Sequence, residues 1–145
     1  MTGFPAPAAL VPHSGSMCLL DRVGCWSETS VTCFSAGHRR PDHPLRRGGC
    51  LPSIHLLEYA AQAAAVHGGL TAGAGASAPL KYLAAARDFQ LLVSTLDGVA
   101  AELRIDAEQL MNLGSDFLYR FHVNADGRLL ASGRLTVVAA LRGSA

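Results

Sequence analysis

The chain has 145 residues, 50% of them hydrophobic and 16% charged, and a formal net charge of +1. These values describe one globular domain over residues 1–145 with enough apolar side chains for a real core, and they exclude a disordered or fibrous chain. A charge this close to neutrality, with no dense Lys/Arg run interleaved with aromatics, gives no reason to expect nucleic acid as a partner.

Residues 1–10 carry no basic group ahead of a long apolar core and do not read as a secretory signal. No run approaches the roughly 20 apolar residues that cross a bilayer, because Gly68-Gly69 and the Gly/Ala/Ser stretch of residues 71–78 interrupt the longest candidate. A cytoplasmic protein with no membrane partner is expected. Cys18, Cys25, Cys33 and Cys50 lack both metal-type spacing and a secreted context, so they read as buried free thiols.

Residues 17–26 and 30–36 are rich in β-formers and are joined through Ser27-Glu28-Thr29, which predicts a hairpin. Residues 37–49 follow with two prolines, three glycines and four arginines, the composition of an ordered loop. Pro52-Ser53 predicts a helix start with Ser53 as N-cap, and Gly68-Gly69 predicts its stop. The helix between them is apolar almost all round, as befits one wrapped by other structure. Four β-like stretches complete the chain, at residues 80–93, 99–110, 116–124 and 129–141, with turns at Asp97-Gly98, Gly114-Ser115 and Asp126-Gly127. The order predicts an α+β domain in which a curved antiparallel sheet wraps one long central helix.

Glu58 is the one formally charged side chain between Arg47 and Lys81, and it stands in the middle of the helical apolar run. A lone carboxylate is costly to bury, so it is expected to be paired, held toward its neutral form by desolvation, or kept for chemistry. An ion pair with Arg39, Arg40, Arg46 or Arg47 is the structural alternative. Gln62 lies one turn further along the same face, and its amide could orient the carboxylate or bind a water at the substrate site. His38 and His43 in the loop could act as proton carriers near neutral pH. His55 and His67 read as helix histidines satisfied by hydrogen bonds. The spacings of His38, His43, Cys50 and His55 match no standard zinc set, so no metal is expected.

Several stretches together resemble the hotdog-fold 3-hydroxyacyl-acyl carrier protein dehydratases: Leu10-Val11-Pro12-His13, Met17-Cys18-Leu19-Leu20-Asp21-Arg22-Val23, the loop His38-Arg39-Arg40-Pro41-Asp42-His43-Pro44-Leu45, and Pro52 spaced from Glu58, Ala61 and Gln62. The resemblance is closer still to the dehydratases of aryl-polyene-type clusters, whose loop and helix read much like those here. It implies a hotdog fold, a substrate carried on acyl carrier protein, no cofactor, and a dimer in which the histidine comes from one subunit and the acid from the other. That dimer could be a homodimer or a heterodimer with another hotdog subunit. The resemblance places His38 as base and Glu58 as acid, with Ser53 standing where the family has a glycine whose backbone N–H meets the thioester carbonyl. The stretch between His38 and Pro52 is longer than the general family pattern.

Dehydration of a 3-hydroxyacyl thioester suits these residue types. A base must take the C2 proton, an acid must protonate the departing C3 hydroxyl, and donors must hold the thioester oxygen. His38 suits the first task and Glu58 the second. Backbone N–H groups of Ser53 and Ile54 at the helix start suit the third. The four loop arginines could recognise an acidic carrier protein or the phosphate of its arm. Two alternatives stay open at this stage: a hotdog thioesterase in which the carboxylate activates water, and a non-catalytic hotdog subunit that partners an active one.

Overall fold

The computed structural model describes residues 18–72 and 81–139. Six strands, β1 (Arg22–Trp26), β2 (Ser30–Ser35), β3 (Lys81–Leu91), β4 (Leu103–Asn112), β5 (Asp116–Ala125) and β6 (Arg128–Ala139), form one antiparallel sheet in the order β1-β2-β4-β5-β6-β3. One helix, α1 (Leu56–Ala72), packs against β2 through β6. This curved sheet around a single long helix is the predicted hotdog arrangement.

Helix α1 is central because it has no polar face to give to water. Residues 59–68 are all buried, and they run right round its circumference. Small side chains at Ala60, Ala61, Ala63, Ala64 and Ala65 let the sheet close tightly on it, so in this chain they serve packing. Alternation along β5 sends Phe117, Tyr119, Phe121, Val123 and Ala125 inward and Arg120 and His122 outward. Truncating a fully buried Phe121 to alanine would cost about 3–5 kcal/mol.

The boundaries differ from expectation for local reasons. Ser53 is not the N-cap of the α-helix: Ser53–His55 forms a 3-10 turn capped by Pro52 without any side-chain bond, and the α-helix begins at Leu56. The helix also runs past Gly68-Gly69 to Ala72, where the Thr71 hydroxyl bonds the His67 and Gly68 carbonyls. Strand β4 begins at Leu103 rather than at residue 99, because Val99 closes a turn on the Leu96 carbonyl at 3.0 Å. Cys33 is buried as predicted, and burial raises its thiol to about 12. Cys25 is exposed instead, since a register shift between Val23 and Cys25 turns it outward. The stretch from Leu10 to Met17 lies outside the described residues.

His67 is the satisfied helix histidine that was expected. Its Nε2 faces the Ser27 carbonyl at 3.0 Å and its Nδ1 the Tyr119 hydroxyl at 2.7 Å, tying the helix to the first hairpin and to β5.

Candidate active site

The loop between β2 and α1 folds into a 3-10 turn, Gly37–Arg39, that puts His38 fully inside the protein. Its Nε2 stands 2.8 Å from the Val99 carbonyl oxygen. A carbonyl can only accept, so Nε2 carries the proton and Nδ1 carries the lone pair. Nδ1 is buried and has no hydrogen-bond partner. Desolvation holds the ring below its ordinary value of 6.5; the Val99 bond opposes this, and the charges of Arg39 and Arg46 reinforce it. The result is a neutral imidazole with a bare nitrogen in a dry place, the state a general base requires.

His43 is built differently although it is also buried. Its Nδ1 accepts the Leu45 N–H at 3.1 Å, and its Nε2 meets the Tyr59 hydroxyl at 2.9 Å. Both nitrogens are engaged. Tyr59 is a core residue, and its hydroxyl also serves as the fastening point for this histidine.

Glu58 sits in the first turn of α1 and is only half-buried, not enclosed as expected. The reason lies in the helix's placement: its first turn stands at the edge of the core, where Leu57 is also part-exposed. Gln62 is buried and bridges inward, donating from Nε2 to Glu58 Oε2 at 3.3 Å while its Oε1 accepts the Leu19 N–H at 2.8 Å. The orienting role expected of Gln62 thus has a geometry. No hydrogen bond joins His38 to Glu58 within the chain, since both nitrogens of His38 are accounted for without it.

Of the two backbone donors expected to hold a carbonyl oxygen, Ser53 N–H is already used, donating to Ser94 O at 3.0 Å beside a Pro52–Thr95 bridge. Ile54 lies in the first turn, where a backbone N–H has no acceptor within its own helix. The loop arginines also divide. Arg46 donates to Asp97, to the carbonyls of His38 and Arg40 at 2.9 Å, and to that of Gly49. Arg40 is paired with Asp42 in solvent at 3.1 Å, and Arg39 and Arg47 are exposed. Asp97 falls in the expected Asp97-Gly98 turn and Val99 where a strand is expected to begin, and nothing in the sequence alone marks either as a support of His38.

A cavity of about 110 Å³ lies beside the loop, lined by Cys18, Leu19, Asp21, Gly37, Arg40 and His43 among others. Its volume suits a few waters at about 30 Å³ each rather than an acyl chain. Among the described residues no group of three or more His, Cys, Asp or Glu side chains could hold a metal ion, and no helix is long and apolar enough to cross a membrane.

The fold and the loop-plus-helix site define a hotdog protein. Residues 5–142 match the family model ApeP-like, described as ApeP dehydratase, so the chain belongs to the ApeP-like dehydratase family. It is a lyase of aryl-polyene-type biosynthesis. Among solved structures it is similar to the dehydratase heterocomplex ApeI:P from Xenorhabdus doucetiae, at TM-score 0.87 and 22% identity over 96% of this chain and 93% of that one. It is also similar to AziG of S. sahachiroi, at TM-score 0.62 and 12% identity over 85% and 91% of the two chains. A hypothetical thioesterase with coenzyme A from Streptococcus pneumoniae aligns at TM-score 0.57 and 12% identity over 82% and 84%. No curated protein matches the sequence.

Proposed function

We propose that this chain dehydrates a 3-hydroxyacyl thioester carried on acyl carrier protein to the trans-2-enoyl thioester, in the cytoplasm, as one half of a complex with a second hotdog subunit. The observation that carries the reading is His38 Nδ1, a buried lone pair with no partner inside the chain. In the reaction Nδ1 takes the C2 proton, the C2–H electron pair becomes the C2–C3 double bond, and the C3–O bond breaks. The hydroxyl leaves as water with a proton from Glu58. The two groups act in trans, each meeting its counterpart on the neighbouring subunit, which agrees with the absence of a hydrogen bond from His38 to Glu58 within the chain. A neighbour covering the first turn of α1 would enclose Glu58, which is only half-buried in the single chain. Ile54 N–H supports the thioester oxygen, and Gln62 holds Glu58 in direction.

The partner is proposed on the likeness to the ApeI:P heterocomplex. The test is to incubate the chain, alone and with a hotdog subunit from the same gene neighbourhood, with 3-hydroxyacyl carrier protein and with the coenzyme A thioester. Enoyl carrier protein formed faster in the mixture than by either subunit alone supports the reading. Free acid as the product would overturn it in favour of hydrolysis.

A further inference from the structure

The turn that orients the His38 ring is itself gripped by the loop that carries His38. Leu96, Asp97, Gly98 and Val99 form a tight turn, closed by Val99 N–H on the Leu96 carbonyl at 3.0 Å. Its last residue offers the carbonyl that receives His38 Nε2. Its second residue, Asp97, receives Arg46 Nη1, while Nη2 of the same guanidinium bonds the His38 carbonyl at 2.9 Å. A closed circuit results: the His38 ring to Val99, through the turn to Asp97, across to Arg46, and back to the His38 backbone.

Both ends of the histidine are therefore referred to one turn. The turn is in turn anchored to the segment before the helix, since Leu96 N–H bonds the Leu51 carbonyl at 2.9 Å and Asp97 Oδ2 accepts the Leu51 N–H at 3.2 Å. Arg46 is well shielded, its side chain 14% exposed, whereas Arg40 in the same loop is 69% exposed and bonds only its near neighbour Asp42. A fork that satisfies four acceptors at fixed angles is a task for guanidinium and not for a point-charge ammonium.

We propose that Arg46 and Asp97 are positioning residues for the reaction: together they fix the rotation and tautomer of His38 so that Nδ1, and not Nε2, faces the substrate. The inference rests on the assignment of His38 as base. The low titration of Asp97, brought to about 2 chiefly by its bond to Arg46, agrees with a pair that stays charged throughout the working range.

The test uses Arg46→Lys and Asp97→Asn in the full-length chain, with nitrogen-15 spectra of the neutral His38 side chain and with turnover in the complex with its partner subunit. Wild-type protein should show one protonated and one unprotonated ring nitrogen. Both variants should show the two signals moving toward a mixture of tautomers, with kcat down about 10²-fold, as expected for a reacting group misplaced by an ångström, and KM changed by less than about twofold. Arg40→Ala, which removes only the exposed pair, should leave the His38 signals unchanged. Should Arg46→Lys not fold, Asp97→Asn decides, because it keeps an oxygen for the Leu51 N–H. Folded variants with wild-type His38 signals would overturn the proposal. Altered signals with unchanged kcat would leave the clamp standing and overturn the role of His38.

Discussion

The imidazole of His43 and the hydroxyl of Tyr59 are bonded at 2.9 Å, with the two rings stacked 6.2 Å apart in the interior. That contact separates two histidines that lie five positions apart in one loop, of which the family resemblance favours His38 and residue type alone favours neither. Because Nδ1 of His43 is also engaged, by the Leu45 N–H, His43 has no nitrogen to offer. His38, with one nitrogen bound and one bare, does.

His43→Leu should therefore be a stability variant. It removes a partner from the buried Tyr59 hydroxyl and the acceptor from Leu45 N–H, at a cost of about 1–3 kcal/mol. Urea unfolding should show that loss, while dehydration by the folded fraction should stay within a few-fold of wild type.

Glu58 and Gln62 should behave in opposite ways although they touch. Glu58→Gln is nearly isosteric at a half-buried position, so stability should stay within about 0.5 kcal/mol, while loss of the acid should cost about 10²-fold or more in turnover. Gln62→Leu leaves the Leu19 N–H without its acceptor and should cost about 1–3 kcal/mol, with a smaller effect on turnover. Thermal unfolding and initial rates of enoyl formation measure both.

Gly133 should be intolerant where Gly24 is not. A Cβ at Gly133 would lie 2.6 Å and 2.7 Å from Phe89 Cβ and Cα, which are held by the irregular stretch of β3 where Asp88 takes a positive φ. At Gly24 the clash, though shorter at 2.4 Å, is with the outer edge of the Phe34 ring, which can swing. Gly133→Ala should thus lower the melting temperature markedly more than Gly24→Ala. Equal effects would show that the β3 irregularity is soft.

Acidification should destabilise the fold in the range just below pH 6.5. His38, His43 and His55 are all held below their ordinary value, chiefly by burial, so below 6.5 the unfolded chain binds protons that the folded chain refuses. Their contribution is complete above 6.5 and is lost as pH falls toward the folded values. Melting temperature should fall between about pH 7 and pH 5 and less so in a His38→Gln/His43→Gln double variant. A melting temperature that rises on acidification over this range would contradict it.

Much of the architecture was legible because local chemistry and global fold agree. The Asp126-Gly127 turn takes positive φ at both residues, 51° and 75°, as a two-residue hairpin requires. The charge-poor run around Ala60 to Val66 became the buried helix. What stayed hidden depends on contacts distant in sequence. Ser53 N–H is spent on Ser94, a partner set by a bridge between Pro52 and Thr95. The four loop arginines look alike as letters, yet only Arg46 finds Asp97, some fifty positions away. Glu58 was expected inside because its sequence neighbours are apolar, but a helix that is central along most of its length can still start at a surface.

The central claim is that the bare nitrogen of His38 removes the C2 proton, and the most direct measurement is enoyl thioester formation by the assembled dehydratase carrying His38→Gln. Glutamine can still donate to the Val99 carbonyl, so the fold should survive while the base is gone. The account predicts a loss of about 10²–10⁴-fold in kcat with an intact complex. Wild-type turnover by that variant would contradict it.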